Sequence, residues 1–425
     1  MAEYHIEGGF PVQGRVRARG NKNAALPCIA ATLLTAEPVI LRNIPDIEDV
    51  AVMLEILNNL GAKTERLDAN SWKITASGGI TSVIPRELSH KIRASILFAG
   101  PLIARTGKAV LPPPGGDVIG RRRLDTHFLA LTELGARVVI NGQFNFSANK
   151  LCGADIFLDE ASVTATENAV MAAVLAEGTT ILTNAASEPH IQDVCTMLNA
   201  MGARIGGIGS NILTIEGTRE LHGTDFAIGP DYMEIGSFIG LAAATRGSVT
   251  IEGVREREMR PLKAAFGKLG IRWTIEGSDL VLPTGQDMWV NTDFGGMIPK
   301  IDDAPWPGFP PDLISIMIVA ATQVNGTVLI HEKLFESRMF FVDRLISMGA
   351  KIILCDPHRA VVSGATALHG EQLVSPDVRA GMALVIAALA AEGKSVISNI
   401  YQVERGYENL TERLKSLGAR IQRIE

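Results

Sequence analysis

The sequence predicts an α/β protein of two similar domains, each made of three copies of one strand–helix unit. Three observations predict it. A short phrase recurs six times: Leu60-Gly61-Ala62-Lys63, Leu134-Gly135-Ala136-Arg137, Met201-Gly202-Ala203-Arg204, Leu269-Gly270-Ile271-Arg272, Met348-Gly349-Ala350-Lys351 and Leu417-Gly418-Ala419-Arg420. The glycines stand 74, 67, 68, 79 and 69 residues apart, so the copies fill the 425-residue chain. The composition, 47% hydrophobic but only 5% aromatic, suits helices packed on sheets around an aliphatic core.

Each copy repeats one order of elements, a βαβαββ-type unit of about 70 residues. A β-branched strand leads, as in Val39-Ile40-Leu41, Thr180-Ile181-Leu182, Val249-Thr250-Ile251 and Val328-Leu329-Ile330. An amphipathic helix follows, such as 46–60 or 408–417, and the recurring glycine caps it in the left-handed conformation. A second strand then begins, such as Arg137-Val138-Val139-Ile140 or Lys351-Ile352-Ile353-Leu354. Ala-rich helices at 170–176, 239–245, 316–323 and 382–392 complete the pattern. The basic residue two positions after each glycine is expected to complement the helix dipole, because all copies share it. Function belongs where one copy departs from the rest.

Charge and cysteines narrow the class. A net charge of −6 gives no global attraction to nucleic acid or anionic membrane, so anion binding must be local. The cysteines Cys28, Cys152, Cys195 and Cys355 lack metal-ligand spacing; buried reduced thiols are expected, with no zinc site and no metal. The opening MAEYHIEGGF has no basic segment ahead of an apolar one, and no apolar run is long enough to span a bilayer. A soluble cytoplasmic protein without nucleic-acid or membrane partners is expected.

The departures are local. Gly20-Asn21-Lys22-Asn23 enters an apolar helix, where an ammonium and free N–H groups suit an anion, or where an ordinary cap would suffice. Pro112-Pro113-Pro114-Gly115-Gly116-Asp117 leads to Arg121-Arg122-Arg123, with Lys91-Ile92-Arg93 upstream on a helix; the glycine pair reads as a hinge. Ser162, Val163 and Thr164 precede a helix, with Thr164 and Glu167 resembling a capping box and a phosphate-binding terminus as the other reading. A proline-rich loop from Asp302 ends in Asp312, a fixed carboxylate opening a helix and so a well-placed base. Single arginines follow at Arg338, Arg379 and Arg405, each open to reading as a salt bridge. The stretch 223–231 is the expected crossing between the domains.

GNKNAALP, KIRASI, PGGDVIGRRRLDTH, ASVTATENAVMAAVLAEGTTI, EPHIQDV, PWPGFPPD, FESR, DVRA and ERGYE, in this order along the chain, resemble the enolpyruvyl transferases, in the branch that acts on UDP-N-acetylglucosamine. The resemblance implies an inside-out α/β barrel, with residues 22–229 in one domain, 1–21 plus 230–425 in the other, and the active site in the cleft between them. It implies transfer of the enolpyruvyl group of phosphoenolpyruvate to the sugar 3′-hydroxyl by addition and elimination, opening peptidoglycan synthesis, with no cofactor. It assigns Lys22, Asn23, Arg122, Arg338, Arg379 and Arg405 to phosphoenolpyruvate. Asn23, Arg93, Arg122, Arg123, Leu124, Asp125, Thr126, Ser162, Val163, Thr164, Asp312 and Leu334 fall to the nucleotide sugar. Asp312 is implied as the base, and Asp117, standing where most members carry a cysteine, as the acid. A carboxylate there implies resistance to fosfomycin, which alkylates that cysteine.

The chain departs from the common pattern at Arg123, Glu160, Thr164, Pro311 and Ile314, mostly around the nucleotide sugar. Transfer to shikimate 3-phosphate, a non-catalytic sugar-nucleotide-binding paralogue and a repeat scaffold for protein partners are the rival readings.

Overall fold

The computed structural model describes residues 2–116 and 123–425, so Asp117 and Arg122 lie outside the described residues. The chain divides into two units with separate cores. Among the described residues, the first holds 20–116 and 123–229; the second joins the N-terminal stretch, up to Arg19, to Pro230–Glu425.

In the first unit, strand Val39–Arg42 lies between Asp225–Ala227, parallel to it, and Ser71–Thr75, antiparallel, with Lys63–Asp68 at the edge. Thr179–Thr183 repeats this arrangement between Asp155–Phe157 and Ile212–Glu216. Lys108–Leu111 does so in a smaller sheet, where a bridge from Val83 takes the parallel position. In the second unit the N-terminal strands complete two sheets. Glu3–Gly8 lies between Gly393–Ser398 and Arg420–Ile424, and Gln13–Arg17 pairs parallel with Ser248–Glu252. Early sequence is thereby built into a unit otherwise formed by the last two hundred residues.

The helices sort by pattern. Ile314–Thr322 is apolar nearly all round and Tyr232–Ala244 apolar save for the paired Glu234; both are buried along their whole length and pack on each other and on Val378–Ala390. A helix without a polar face has to be interior. Amphipathic helices such as Glu48–Leu60 keep Glu48 and Glu55 outward, while Asp49 is buried. Buried helices wrapped by sheets and surface helices are the inside-out arrangement that the resemblance implies.

The recurring glycines behave as expected: all six have positive φ, from 71° at Gly270 to 103° at Gly61. Of the basic residues beyond them, Arg204 pairs across strands with Glu216 at 3.4 Å and Arg420 with Glu7 at 3.3 Å. Three other expectations need correction. Two of the four cysteines are exposed, Cys152 and Cys355, the latter on an edge strand. Gly115 and Gly116 are required by packing and backbone conformation, so the glycine pair does not by itself argue a hinge. A Cβ on Gly115 would sit 1.7 Å from the His90 carbonyl oxygen, and Gly116 has φ of 107°. Lys91 and Ile92 precede a short 3-10 helix, Arg93–Phe98, rather than lying on a helix.

Candidate active site

In the first unit, Asn21 caps the helix Lys22–Ala31, its side chain accepting the N–H of Asn23 at 2.8 Å. That cap fixes the direction of Lys22, whose ammonium lies 2.7 Å from the nearly buried carboxylate of Asp49. The helix entry is therefore both an ordinary cap and the seat of a held cation.

A second group gathers around Asp159. Arg123 donates to Asp125 at 2.7 Å and reaches Asp159 at 3.7 Å, while Thr126 donates to Asp159 at 2.7 Å. Arg93 donates to the carbonyl of Arg123 at 3.0 Å, and Leu124 and Val163 pack on the core beneath. Ser162, not Thr164, caps the helix Val163–Ala173, accepting from Ala165. The expected Thr164–Glu167 capping box is overturned because the helix starts earlier. Thr164 is inside its first turn, with its hydroxyl 3.0 Å from His127, and Glu167 is buried. Burial, aided by the charge of Glu188, pushes the Glu167 carboxyl well up.

The second unit shows how one copy departs from its siblings. Asp231 and Asp377 cap the helices Tyr232–Ala244 and Val378–Ala390, each accepting two backbone N–H groups. Asp312 lies just ahead of Ile314–Thr322 but makes no such cap. Its carboxylate instead accepts from Arg338 at 2.5 Å and from Arg379 at 3.0 Å. Burial alone would raise its pKa, but Arg338 and then Arg379 outweigh burial and hold it far below the usual carboxylate range. Arg379 also donates to Tyr407 at 3.2 Å, whose hydroxyl meets Ser237 at 2.8 Å. Arg405 is buried nearby in sequence, one arm on Gln402 at 3.2 Å.

Below Leu334 and Arg338 lies a pair of buried carboxyls that sequence reasoning missed. Glu332 accepts the N–H groups of Leu334 and Phe335, and Asp303 accepts those of Lys333 and Leu334. Both are fully buried. Burial first, and the neighbouring Asp303 charge next, push Glu332 up to about 9. Asp49, His127, Asn168 and Tyr407 were missed as well, although the last three lie inside motifs already singled out. Their pairing distances were the missing signal. Among the described residues no cluster of His, Cys, Asp and Glu suits a metal, and no helix is long and apolar enough to cross a membrane.

Chemically, the second unit offers an ionised carboxylate between two buried guanidiniums, and the first a held ammonium. A family model described as EPSP synthase (3-phosphoshikimate 1-carboxyvinyltransferase) matches residues 6–414. The UDP-N-acetylglucosamine 1-carboxyvinyltransferase of Treponema denticola is 70% identical over 422 residues, 99% of this chain and 99% of that one. Its counterpart in Treponema pallidum is 65% identical over 421 residues, again 99% of each. The crystal structure of the enolpyruvyl transferase NikO from Streptomyces tendae matches with a TM-score of 0.87 at 25% identity, covering 99% of this chain and 98% of that one. A match this long and this similar leaves one conclusion: the chain belongs to the enolpyruvyl transferases, in the family of the UDP-N-acetylglucosamine 1-carboxyvinyltransferases.

Proposed function

We propose that this enzyme moves the enolpyruvyl group of phosphoenolpyruvate onto the 3′-hydroxyl of UDP-N-acetylglucosamine and releases phosphate. The observation that carries the reading is Asp312, the one aspartate ahead of a central helix in its unit that leaves the cap and pairs with Arg338 and Arg379. A trianionic donor needs several fixed cations, and charge-assisted bonds from guanidinium and ammonium supply them. Lys22, Arg122, Arg338, Arg379 and Arg405 take this role, with Asn23 beside Lys22.

Asp312 takes the proton of the attacking hydroxyl. In the resting arrangement its two arginines make it a weak base, as its depressed pKa says. An incoming phosphate or carboxylate competes for those arginines, and each bond they give up raises the basicity of Asp312. Donor binding would thus arm the base. The hydroxyl oxygen bonds to C2 of phosphoenolpyruvate while Asp117 gives a proton to the methylene carbon. The adduct then loses phosphate from C2, which leaves with the proton held by Asp312, and the new methyl group returns a proton to Asp117, restoring the double bond. Arg93, residues 123–126, Ser162, Val163, Thr164 and Leu334 hold the nucleotide sugar. The product precedes peptidoglycan, which places the enzyme in the cytoplasm.

The test is phosphate release from phosphoenolpyruvate with UDP-N-acetylglucosamine or shikimate 3-phosphate as acceptor, with the product identified by mass. Turnover with the nucleotide sugar alone is expected. Turnover only with the shikimate ester would replace the acceptor, and binding without phosphate release would mean a non-catalytic paralogue.

A further inference from the structure

The residue Thr164 sits at the end of a chain of buried hydrogen bonds whose direction can be worked out atom by atom. Asn168 is fully buried. Its side-chain oxygen, Oδ1, accepts the backbone N–H of Gly100 at 2.7 Å, and its nitrogen, Nδ2, donates to the carbonyl of Ile96 at 2.9 Å. Backbone N–H groups only donate and carbonyls only accept, so these two contacts fix which end of the amide is which. The same Nδ2 lies 2.9 Å from Nδ1 of His127. An amide nitrogen has no lone pair to offer, so it donates there and Nδ1 must be bare.

His127 is 1% exposed, and burial first, then the charge of Arg93, bring its pKa down to about 3. The ring is therefore neutral, with its single proton on Nε2. Nε2 lies 3.0 Å from the Thr164 hydroxyl oxygen and donates to it. A hydroxyl that accepts from the ring must turn its own proton elsewhere.

We infer that Gly100, Asn168 and His127 form a one-way relay that presents the Thr164 hydroxyl as a fixed donor to a phosphate oxygen of the nucleotide sugar's diphosphate. This rests on the acceptor reading above and deepens it. Thr164 is half-buried, in the first turn of Val163–Ala173, where the free N–H groups of a helix start favour an anion. Arg93, close enough to act on His127, adds positive charge from a neighbouring element. His127 and Asn168 act through Thr164 and are positioning residues; Thr164 is the specificity residue. A threonine without this backing could turn its proton either way. With it, one oxygen lone pair is taken by the ring and the hydroxyl proton is kept off the ring, which leaves that proton for an outside acceptor.

Two measurements test this. In the resting enzyme, the nitrogen-15 spectrum of His127 should show Nε2 protonated and Nδ1 bare at neutral pH; a protonated Nδ1 would overturn the relay without any variant. In steady-state kinetics, Thr164→Val should raise KM for UDP-N-acetylglucosamine roughly 10-fold or more, the usual loss for one hydrogen bond to a charged group. KM for phosphoenolpyruvate and kcat should hold, and Thr164→Ser should recover the loss. Calorimetry with UDP alone should show the same fold-loss in the valine variant; a loss confined to the full nucleotide sugar would refute the diphosphate as partner. An unchanged KM in an enzyme that turns over UDP-N-acetylglucosamine would sink the inference alone. Absence of any turnover would sink the acceptor reading instead, and the nitrogen-15 spectrum would still decide the relay.

Discussion

Oδ1 of Asp312 stands 2.5 Å from Nη2 of Arg338, and both side chains are largely withdrawn from solvent. Under the proposed mechanism this pair ties catalysis and stability to the same atoms, and substitution separates the two. Asp312→Asn removes the proposed base and takes the directly bonded carboxylate from two buried guanidiniums. Turnover should fall by about 10²–10⁴ for a lost general base, and folding stability by about 3–5 kcal/mol for a broken buried pair. Phosphoenolpyruvate should bind no more weakly, since its partners are freed. A variant with kcat within a factor of ten of the parent would remove Asp312 from the role of base.

The Asp303–Glu332 pair makes stability fall as pH rises from 4.5 to about 9. Glu332 is raised from its ordinary 4.5 to about 9, so between those values the folded chain keeps a proton that the unfolded chain has released. Stability is therefore full below the unfolded value, falls as pH climbs, and loses this contribution above about 9. Asp303 and Arg338 face the carboxyl, and the His358 ring bonds the Glu332 carbonyl at 2.8 Å. Glu332→Gln keeps a donor toward Asp303 but cannot titrate. Thermal melts at steps from pH 5 to 10 should show Tm declining in the parent and a flatter profile in the variant. Equal slopes would show that another group governs the alkaline limb.

Arg413 and Glu234 form a buried two-pronged pair at 2.8 and 2.7 Å, with Glu234 also accepting the N–H of Arg19 and Arg413 donating to the Arg17 carbonyl. The pair therefore anchors the N-terminal segment to its unit. Arg413→Ala strands a buried carboxylate and should cost about 3–5 kcal/mol in urea denaturation. Replacing both charges, as in Glu234→Leu with Arg413→Met, should recover much of that, because two ions are no longer withdrawn from water. A single substitution costing under about 1 kcal/mol would mean that water reaches the pair.

The fold was readable because its signal is local and repeated. Six glycines that must take positive φ, each after an apolar stripe, mark six helix ends without any long-range information. Central helices such as Ile314–Thr322 announced themselves by having no polar face. What could not be read depends on partners far apart in sequence. Nothing in GNKNAALP names Asp49 as the counter-charge of Lys22, and nothing in DTH and TEN says that His127 and Asn168 meet. Cys355 was misjudged because burial of a thiol depends on which strand becomes an edge, and Cys152 because it falls outside the strands of the sheets. Asp312 was legible as a fixed acid, yet its two arginines, and so its weak resting basicity, were not.

Asp117 lies outside the described residues, so its test is chemical. The epoxide of fosfomycin is opened by a soft nucleophile, and a thiolate is far better at this than a carboxylate. The enzyme should therefore keep full activity after long incubation with fosfomycin, with no mass increase on the intact protein. Asp117→Cys should restore time-dependent inactivation and a covalent adduct, since the thiol would occupy the carboxylate's place. Asp117→Asn separates the second claim, that this residue hands a proton to the methylene carbon. An amide cannot act as that acid, so turnover should fall by about 10²–10⁴ while the nucleotide sugar still binds. Covalent labelling of the parent enzyme would overturn the resistance. An asparagine variant of undiminished kcat would instead assign the proton to another group and leave the resistance standing.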